Sequence, residues 1–230
     1  MKLIGPPARP TGLESVASPP PDAPATAPGT VVYLVRHAEV ADSAIAMAYG
    51  AMDVDLSPAG AAATRKLCAA FAGHSIGRVI SSDLERALAM GRGISESSGA
   101  ELIVTPALRE IDRGRWQGIP REEFIANWNA DAATYWRDPW NWKSHGGDSD
   151  ADLWMRGGAA LVDGLLAVNG GTLVVTAHTN LIRVMLGVLL RVPTPLNYAF
   201  ETGPAHLHVL TFDGTAWQHS AQNLDRPPAD

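Results

Sequence analysis

Short apolar runs alternate along this chain with longer stretches whose apolar residues return every three or four positions, and the two periods predict two kinds of element. Residues 31–35, 78–81, 101–104 and 172–176 read as strands, the first and last of them almost wholly apolar. Between them lie helical patterns. Ser57-Pro58 offers an N-cap followed by proline at the first helical position, opening an alanine-rich helix to about Ala72. A second helix spans about 84–97. Ser149-Asp150-Ala151-Asp152 resembles a capping box with Asp152 in the usual glutamate position, and begins a third helix running to about Val168. Leu181, Ile182, Val184, Met185, Leu186, Val188 and Leu189 predict a fourth, buried on most of its faces. Residues 207–212 and 216–219 flank Asp213-Gly214 and predict a hairpin with an Asp-Gly turn. Strands alternating with helices in this way build βαβ units, so the expected fold is α/β, a three-layer sandwich around a mostly parallel central sheet.

Two stretches depart from the alternation. Residues 1–30 hold eight prolines between Pro6 and Pro28 among many small residues, with no sustained apolar segment of the signal-peptide kind. They predict a disordered or extended Pro/Ala-rich tail, with a partner-docking polyproline segment as the alternative. Residues 109–149 carry five of the seven tryptophans, at 116, 128, 136, 140 and 142, punctuated by Pro120, Pro139 and Gly146-Gly147. An irregular insertion of this length predicts a functional element. Its rings either pack as the core of a small helical subdomain or line a lid with room for a ring-bearing substrate, and both can hold together. The expected organisation is a tail over 1–30, one domain over 31–224 with 109–149 as cap or lid, and a short tail over 225–230.

Composition narrows the function. With 230 residues, 46% of them hydrophobic, the chain can bury a full core. A formal charge of −6 excludes a general nucleic-acid surface, so an anionic ligand must be captured by a local cationic pocket. No run is long and apolar enough for a membrane span. The single cysteine, Cys68, excludes an internal disulfide; no Cys/His spacing matches a zinc site, and a reducing compartment such as the cytoplasm is expected. Cys68 sits among apolar helical neighbours and reads as a small buried filler.

Candidate chemistry begins where the first strand ends. Arg36-His37 follows the run 31–35 directly, and the C-terminal edge of such a sheet is where ligands bind. A permanently charged guanidinium beside a nucleophilic imidazole suits a phosphoryl group. His178 follows the strand at 172–176, so both imidazoles would leave one sheet edge together, within reach of Arg86 at the start of the second helix. The helix after His178 would also aim free N–H groups at a bound anion. Such a pocket needs neither metal nor cofactor. Arg109, Arg113 and Arg115 read as a solvated or ion-paired surface run.

Five segments in order carry a resemblance: Arg36-His37, Gly50-Ala51-Met52-Asp53-Val54-Asp55-Leu56-Ser57-Pro58-Ala59-Gly60, Ser81-Ser82-Asp83-Leu84-Glu85-Arg86-Ala87, Leu108-Arg109-Glu110-Ile111-Asp112-Arg113-Gly114-Arg115-Trp116-Gln117-Gly118, and Val174-Val175-Thr176-Ala177-His178. Together they resemble the histidine phosphatase superfamily, with its phosphoglycerate-mutase-like fold, from about Val31 to Asn223. The resemblance implies His37 as the nucleophile that becomes phosphohistidine, Arg36, Arg86 and His178 as the clamp on the equatorial oxygens, and Glu110 as proton donor and then base, with Asp112 its rival. It also places Ser43, where relatives carry an asparagine, and Thr179 at the phosphate, and Asp148, Trp116 and Asn180 at the substrate rim. The expected substrate is a small phosphate ester, and a homodimer is a common assembly among similar proteins.

The chain departs from the family at Ala38, Val40, Asp148 and Thr179-Asn180, a kept catalytic core with an altered rim. The stretch at 53–60 looks like the mutases, whereas 109–118 is closer to the phosphatases, including the α-ribazole phosphatase type, which favours hydrolysis. A cofactor-dependent mutase and a non-catalytic scaffold are the alternatives, and a metal-dependent hydrolase is disfavoured because paired arginines repel a cation.

Overall fold

The computed structural model describes residues 5–12 and 17–228, so the outermost residues of both expected tails lie outside the described part. Strands are β1 (Val31–Arg36), β2 (Arg78–Ser82), β3 (Leu102–Thr105), β4 (Thr172–Ala177), β5 (Leu207–Phe212) and β6 (Trp217–Leu224). Helices are α1 (Asp42–Ile45), α2 (Pro58–Ala69), α3 (Glu85–Ser98), α4 (Arg121–Ala130), α5 (Ala132–Tyr135), α6 (Asp150–Val168) and α7 (Thr179–Leu189). The sheet runs β3-β2-β4-β1-β5-β6, parallel from β3 to β1 and antiparallel beyond.

Strand pleat explains the three layers. Val32, Leu34, Leu173 and Val175 point to one face and pack on Leu153, Leu161 and Leu165 of α6 and on the apolar α7. Their neighbours Tyr33, Val35, Val79 and Val174 point to the other, against Leu67 and Phe71 near α2 and Met90 and Ile94 of α3. Central strands with both faces covered must be apolar at every position, as β1 and β4 are. Helix α3 lies close enough to β2 that a Cβ at Gly91 would come within 2.7 Å of Ser81, so glycine there sets where Arg86, one turn earlier, meets the sheet edge.

Element starts follow the sequence signals. Ser57 caps α2 through Gly60 N–H with Pro58 at the first position, and Ser149 with Asp152 forms a reciprocal capping box on α6. The hairpin differs from a two-residue Asp-Gly turn. It closes over four residues, 213–216, because the Asp213 carboxylate accepts the N–H groups of Thr215 and Ala216 while Gly214 takes a left-handed φ of 102°.

The N-terminal segment is extended, and its described residues are docked rather than disordered. Trp217 donates its indole N–H to Pro24 O, Arg191 binds Pro21 O and Asp22, and Ser18 bridges to Thr194. Further out, Trp128 and Trp136 of the insertion donate to Gly5 O and Pro7 O. Between β3 and α6 the insertion folds on its own aromatic core of Trp116, Phe124, Trp128, Tyr135 and Trp142, with edge-to-face pairs at 4.9 to 6.5 Å. The packed-subdomain reading therefore accounts for these rings. No helix of the described residues is long and apolar enough to cross a membrane.

Candidate active site

Because β1 and β4 are adjacent and parallel with Arg36 opposite Ala177, the residues that follow leave the sheet side by side. His37 and His178 are both buried, with ring centroids 5.1 Å apart. The loop after β2 feeds α3 and delivers Arg86 to the same edge, and the chain after β3 delivers Glu110. All converge at the C-terminal ends of the parallel strands.

Each side chain is held from behind. His37 is fixed through its backbone, whose N–H binds Ala177 O and whose carbonyl accepts Ala205 N–H. Its Nδ1 lies 2.6 Å from Ala38 O. A carbonyl only accepts, so Nδ1 carries the proton and Nε2 keeps its lone pair for a substrate. Burial, then the Arg36 and Arg86 charges, hold the imidazole well below its usual range, so it stays neutral, with its single proton on Nδ1, at neutral pH. Arg36 donates to Thr202 O at 2.6 Å, and Arg86, 1% exposed, donates to Met52 O and Gly50 O at 2.6 and 2.8 Å. Neither guanidinium ion-pairs with Asp83; Arg109 takes that carboxylate through two hydrogen bonds.

Among the described residues, three buried nitrogens at this edge nevertheless lack a protein partner: Arg36 Nε, Arg86 Nε and His178 Nδ1. They are three of eleven unpartnered buried side-chain atoms among the described residues, and their gathering beside His37 suits an acceptor-rich anion. Glu110, 6% exposed, sits across from them. Its Oε1 accepts Ile111 N–H at 2.9 Å, and the carboxylate takes both the backbone and side-chain amides of Asn180 at 3.2 Å.

Several sequence expectations need correction. The first free N–H groups of α7 are not all left for an anion, because the Glu110 carboxylate already takes that of Asn180. Asn180 lines the Glu110 cleft and also holds the Glu110 carboxylate. Ser43 is exposed on the short helix α1, outside the clefts beside His37 and Glu110, because Ala44 rather than Ser43 turns inward. Trp116 lies in the aromatic core of the insertion, 3% exposed, and lines neither the His37 nor the Glu110 cleft. Asp148 is tied to Arg156 and to the Asp112 N–H, each at 3.0 Å, and braces the loop instead of lining a cleft. Thr179 does line the Glu110 cleft.

Arg183 and Tyr49 were not singled out from sequence, and Arg113 was read there as part of a surface run. Arg183 interrupts the apolar run of α7, and that lone charge in a buried helix was the available signal. It donates to Phe200 O and lies over the Tyr198 ring. Arg113 faces the Glu110 cleft over the Phe124 ring, so only its neighbours Arg109 and Arg115 behave as an ion-paired or solvated surface. Tyr49, its ring 5.2 Å from the Arg86 guanidinium, lines the clefts on both the His37 and Glu110 sides; nothing in its local sequence marked it. Among the described residues no three His, Cys, Asp or Glu side chains gather in a way that could hold a metal ion.

Comparison with known proteins places this geometry. Residues 32–225 match the profile of the histidine phosphatase superfamily (branch 1). Phosphoserine phosphatase 1 of Hydrogenobacter thermophilus is 28% identical over 177 residues, 77% of this chain and 84% of that protein. The glucosyl-3-phosphoglycerate phosphatase of Mycolicibacterium vanbaalenii is 30% identical over 70% of this chain and 74% of its own length. The native structure of a mycobacterial glucosyl-3-phosphoglycerate phosphatase superposes with a TM-score of 0.71 at 27% identity, covering 84% of this chain and 98% of that one.

Proposed function

The chain belongs to the histidine phosphatase superfamily, on its phosphatase branch, and we propose that it hydrolyses a small carboxylate-bearing phosphomonoester through a phosphohistidine at His37. The observation that carries this reading is the trio of unpartnered buried nitrogens at Arg36, Arg86 and His178 around a neutral His37. In the first step His37 Nε2 attacks phosphorus, the P–N bond forms and the ester P–O bond breaks. Negative charge on the equatorial oxygens stays paired with the two guanidinium groups throughout, in a site preorganised for it. Glu110 enters this step as the protonated acid and gives its proton to the departing alkoxide, which is a poor leaving group without one. Water then enters, Glu110 takes its proton, and the P–N bond breaks to release phosphate and restore His37.

The carboxylate is supported by charge. Arg113 and Arg183 face the Glu110 cleft with no ion-pair partner among the described residues, and Arg36 and Arg121 line it too. Phosphoserine and glucosyl-3-phosphoglycerate, named for the two relatives, both carry a carboxylate near the phosphate. Trp116, Trp128 and Trp142 are taken up by the insertion's own core and Trp140 packs on the main one, so the reading rests on charge rather than on the tryptophans. The lone reduced Cys68 supports a cytoplasmic setting, and the family resemblance supports a homodimer.

Quenching in alkaline denaturant after mixing with a 32P-labelled phosphate ester tests the proposal. Wild-type enzyme should trap an acid-labile, base-stable phosphoenzyme, and His37→Ala should trap none and lose turnover. Near-normal hydrolysis by His37→Ala would refute the assignment.

A further inference from the structure

Behind His178 stands a buried hydroxyl. Ser82, the last residue of β2, is 0% exposed, and its Oγ lies 2.9 Å from His178 Nε2. That oxygen already accepts the Leu84 N–H at 3.2 Å. The strand end carrying it is pinned in turn. Thr176 on β4 donates to Ser81 Oγ at 2.8 Å, and Ser81 Oγ donates to the Ser82 carbonyl at 2.8 Å.

Hydrogen counting decides the direction of the Ser82–His178 bond. Burial, followed by the Arg86, His37 and Arg36 charges, holds His178 well below its usual range, so the ring carries one proton on one of two nitrogens. Were that proton on Nε2, it would point at Ser82 Oγ, the hydroxyl hydrogen would have no acceptor, and Nδ1 would present a lone pair. A lone pair beside a phosphoryl oxygen is repulsive. With the proton on Nδ1 instead, Ser82 accepts from Leu84, donates to Nε2, and leaves nothing on that side unpaired. The orphan Nδ1 then becomes a donor, matching the orphan Nε–H groups of Arg36 and Arg86.

We infer that Ser82 is a positioning residue for phosphoryl transfer: its hydroxyl hydrogen-bonds His178 Nε2, fixes the Nδ1–H tautomer, and turns His178 into an N–H donor toward the phosphoryl group. This rests on the reading that His178 borders that group. No proton is transferred; the hydroxyl sets which nitrogen holds it. The two histidines therefore carry their protons on the same atom for opposite ends. His37 spends Nδ1–H on Ala38 O to free a nucleophilic lone pair, and His178 spends its lone pair on Ser82 to free a donor.

The test is 1H–15N correlation of imidazole nitrogens in the intact enzyme labelled with 15N-histidine, with and without orthophosphate, the His178 signals assigned by their loss in His178→Ala. The wild-type enzyme should show a protonated Nδ1 and an unprotonated, hydrogen-bonded Nε2 at His178, and phosphate should shift the Nδ1 signal. Ser82→Ala should give mixed tautomers and lower kcat about 10- to 100-fold, with the larger loss in kcat than in KM, because one transition-state donor is no longer preset. A wild-type His178 protonated on Nε2, or a Ser82→Ala enzyme with unchanged tautomer and kcat, would overturn the inference. The quench experiment keeps the two readings apart. Phosphoenzyme forming on His37 while His178 carries the wrong proton defeats only the role of Ser82, whereas absence of phosphoenzyme defeats both.

Discussion

Replacing Glu110 by glutamine isolates proton donation from architecture. The carboxylate accepts Ile111 N–H on Oε1 and the Asn180 side-chain amide on Oε2, with Asn180 N–H shared between them. A glutamine amide can keep its oxygen at the Oε1 position. Its NH2 then meets Asn180 Nδ2, and a flip of the Asn180 amide turns that clash into a hydrogen bond. The fold should hence be kept within about 1 kcal/mol, the net worth of one such bond. Chemistry should not be kept. General acid catalysis supplies about 10²- to 10⁴-fold, or roughly 2.7 to 5.4 kcal/mol of barrier, but only where the leaving oxygen needs a proton. Rapid-quench kinetics on p-nitrophenyl phosphate should therefore show a burst of about one enzyme equivalent of nitrophenolate at nearly the wild-type rate, followed by slow turnover, because water attack on phosphohistidine still lacks its base. An alkyl phosphate should show no burst and a rate lower by those two to four decades. Equal loss of the burst for both esters, with an unchanged melting temperature, would refute Glu110 as the acid and shift attention to Asp112.

Three further outcomes follow from the same geometry. Arg113→Ala should reduce kcat/KM for phosphoserine about 10- to 100-fold, the worth of a hydrogen bond to a charged group, and leave O-phosphoethanolamine nearly unchanged; parallel losses would detach Arg113 from any carboxylate. His37 and His178 are held well below 6.5 and His145 and His208 near 4, all by burial first, whereas Asp150 is raised to about 6, so near pH 5 unfolding should take up roughly three protons. Stability should thus be full above pH 6.5 and fall as pH drops toward 4, and a melting temperature flat between pH 7 and 5 would contradict it. Orthophosphate at a hundred times its Kd should add about 2.7 kcal/mol and raise Tm by roughly 5 to 10 °C, a shift that Arg86→Met should abolish.

Much of the fold was legible because strands and helices announce themselves by period. The uninterrupted run at 31–35 could only be a strand covered on both faces, and the signals at Ser57-Pro58 and at Ser149 with Asp152 fixed two helix starts to the residue. The meeting of His37 and His178 was legible from connectivity alone, since two parallel strands must end at one edge. What escaped were contacts between segments distant in sequence. Asn180 was legible as a rim residue but not as the holder of Glu110, because nothing local tells that Glu110, seventy positions earlier, folds over the start of α7. Trp116 looked like a lid residue because composition counts rings without saying which pack on each other. The tail's docking depends on indole N–H groups from three separate elements finding proline-segment carbonyls, a complementarity invisible in either partner alone.

The way the clamp is held explains how a chain of charge −6 keeps a cationic pocket alive. A buried guanidinium needs its N–H groups satisfied, and the cheapest partner for its charge is a carboxylate, as the exposed Arg109–Asp83 pair illustrates. At the site the partners are instead backbone carbonyls: Thr202 O for Arg36, Met52 O and Gly50 O for Arg86, Phe200 O for Arg183. Carbonyl dipoles satisfy donors and fix geometry without cancelling formal charge. Burial lowers all three arginines from their ordinary values, but from so high a start that each remains a cation at neutral pH. Glu110 attracts all three without ion-pairing with any of them, so most of the positive charge is left for the phosphoryl group, whose own desolvation it offsets. Had the chain used carboxylates to hold these arginines, the folded protein would be better compensated and the anion would find nothing left to bind.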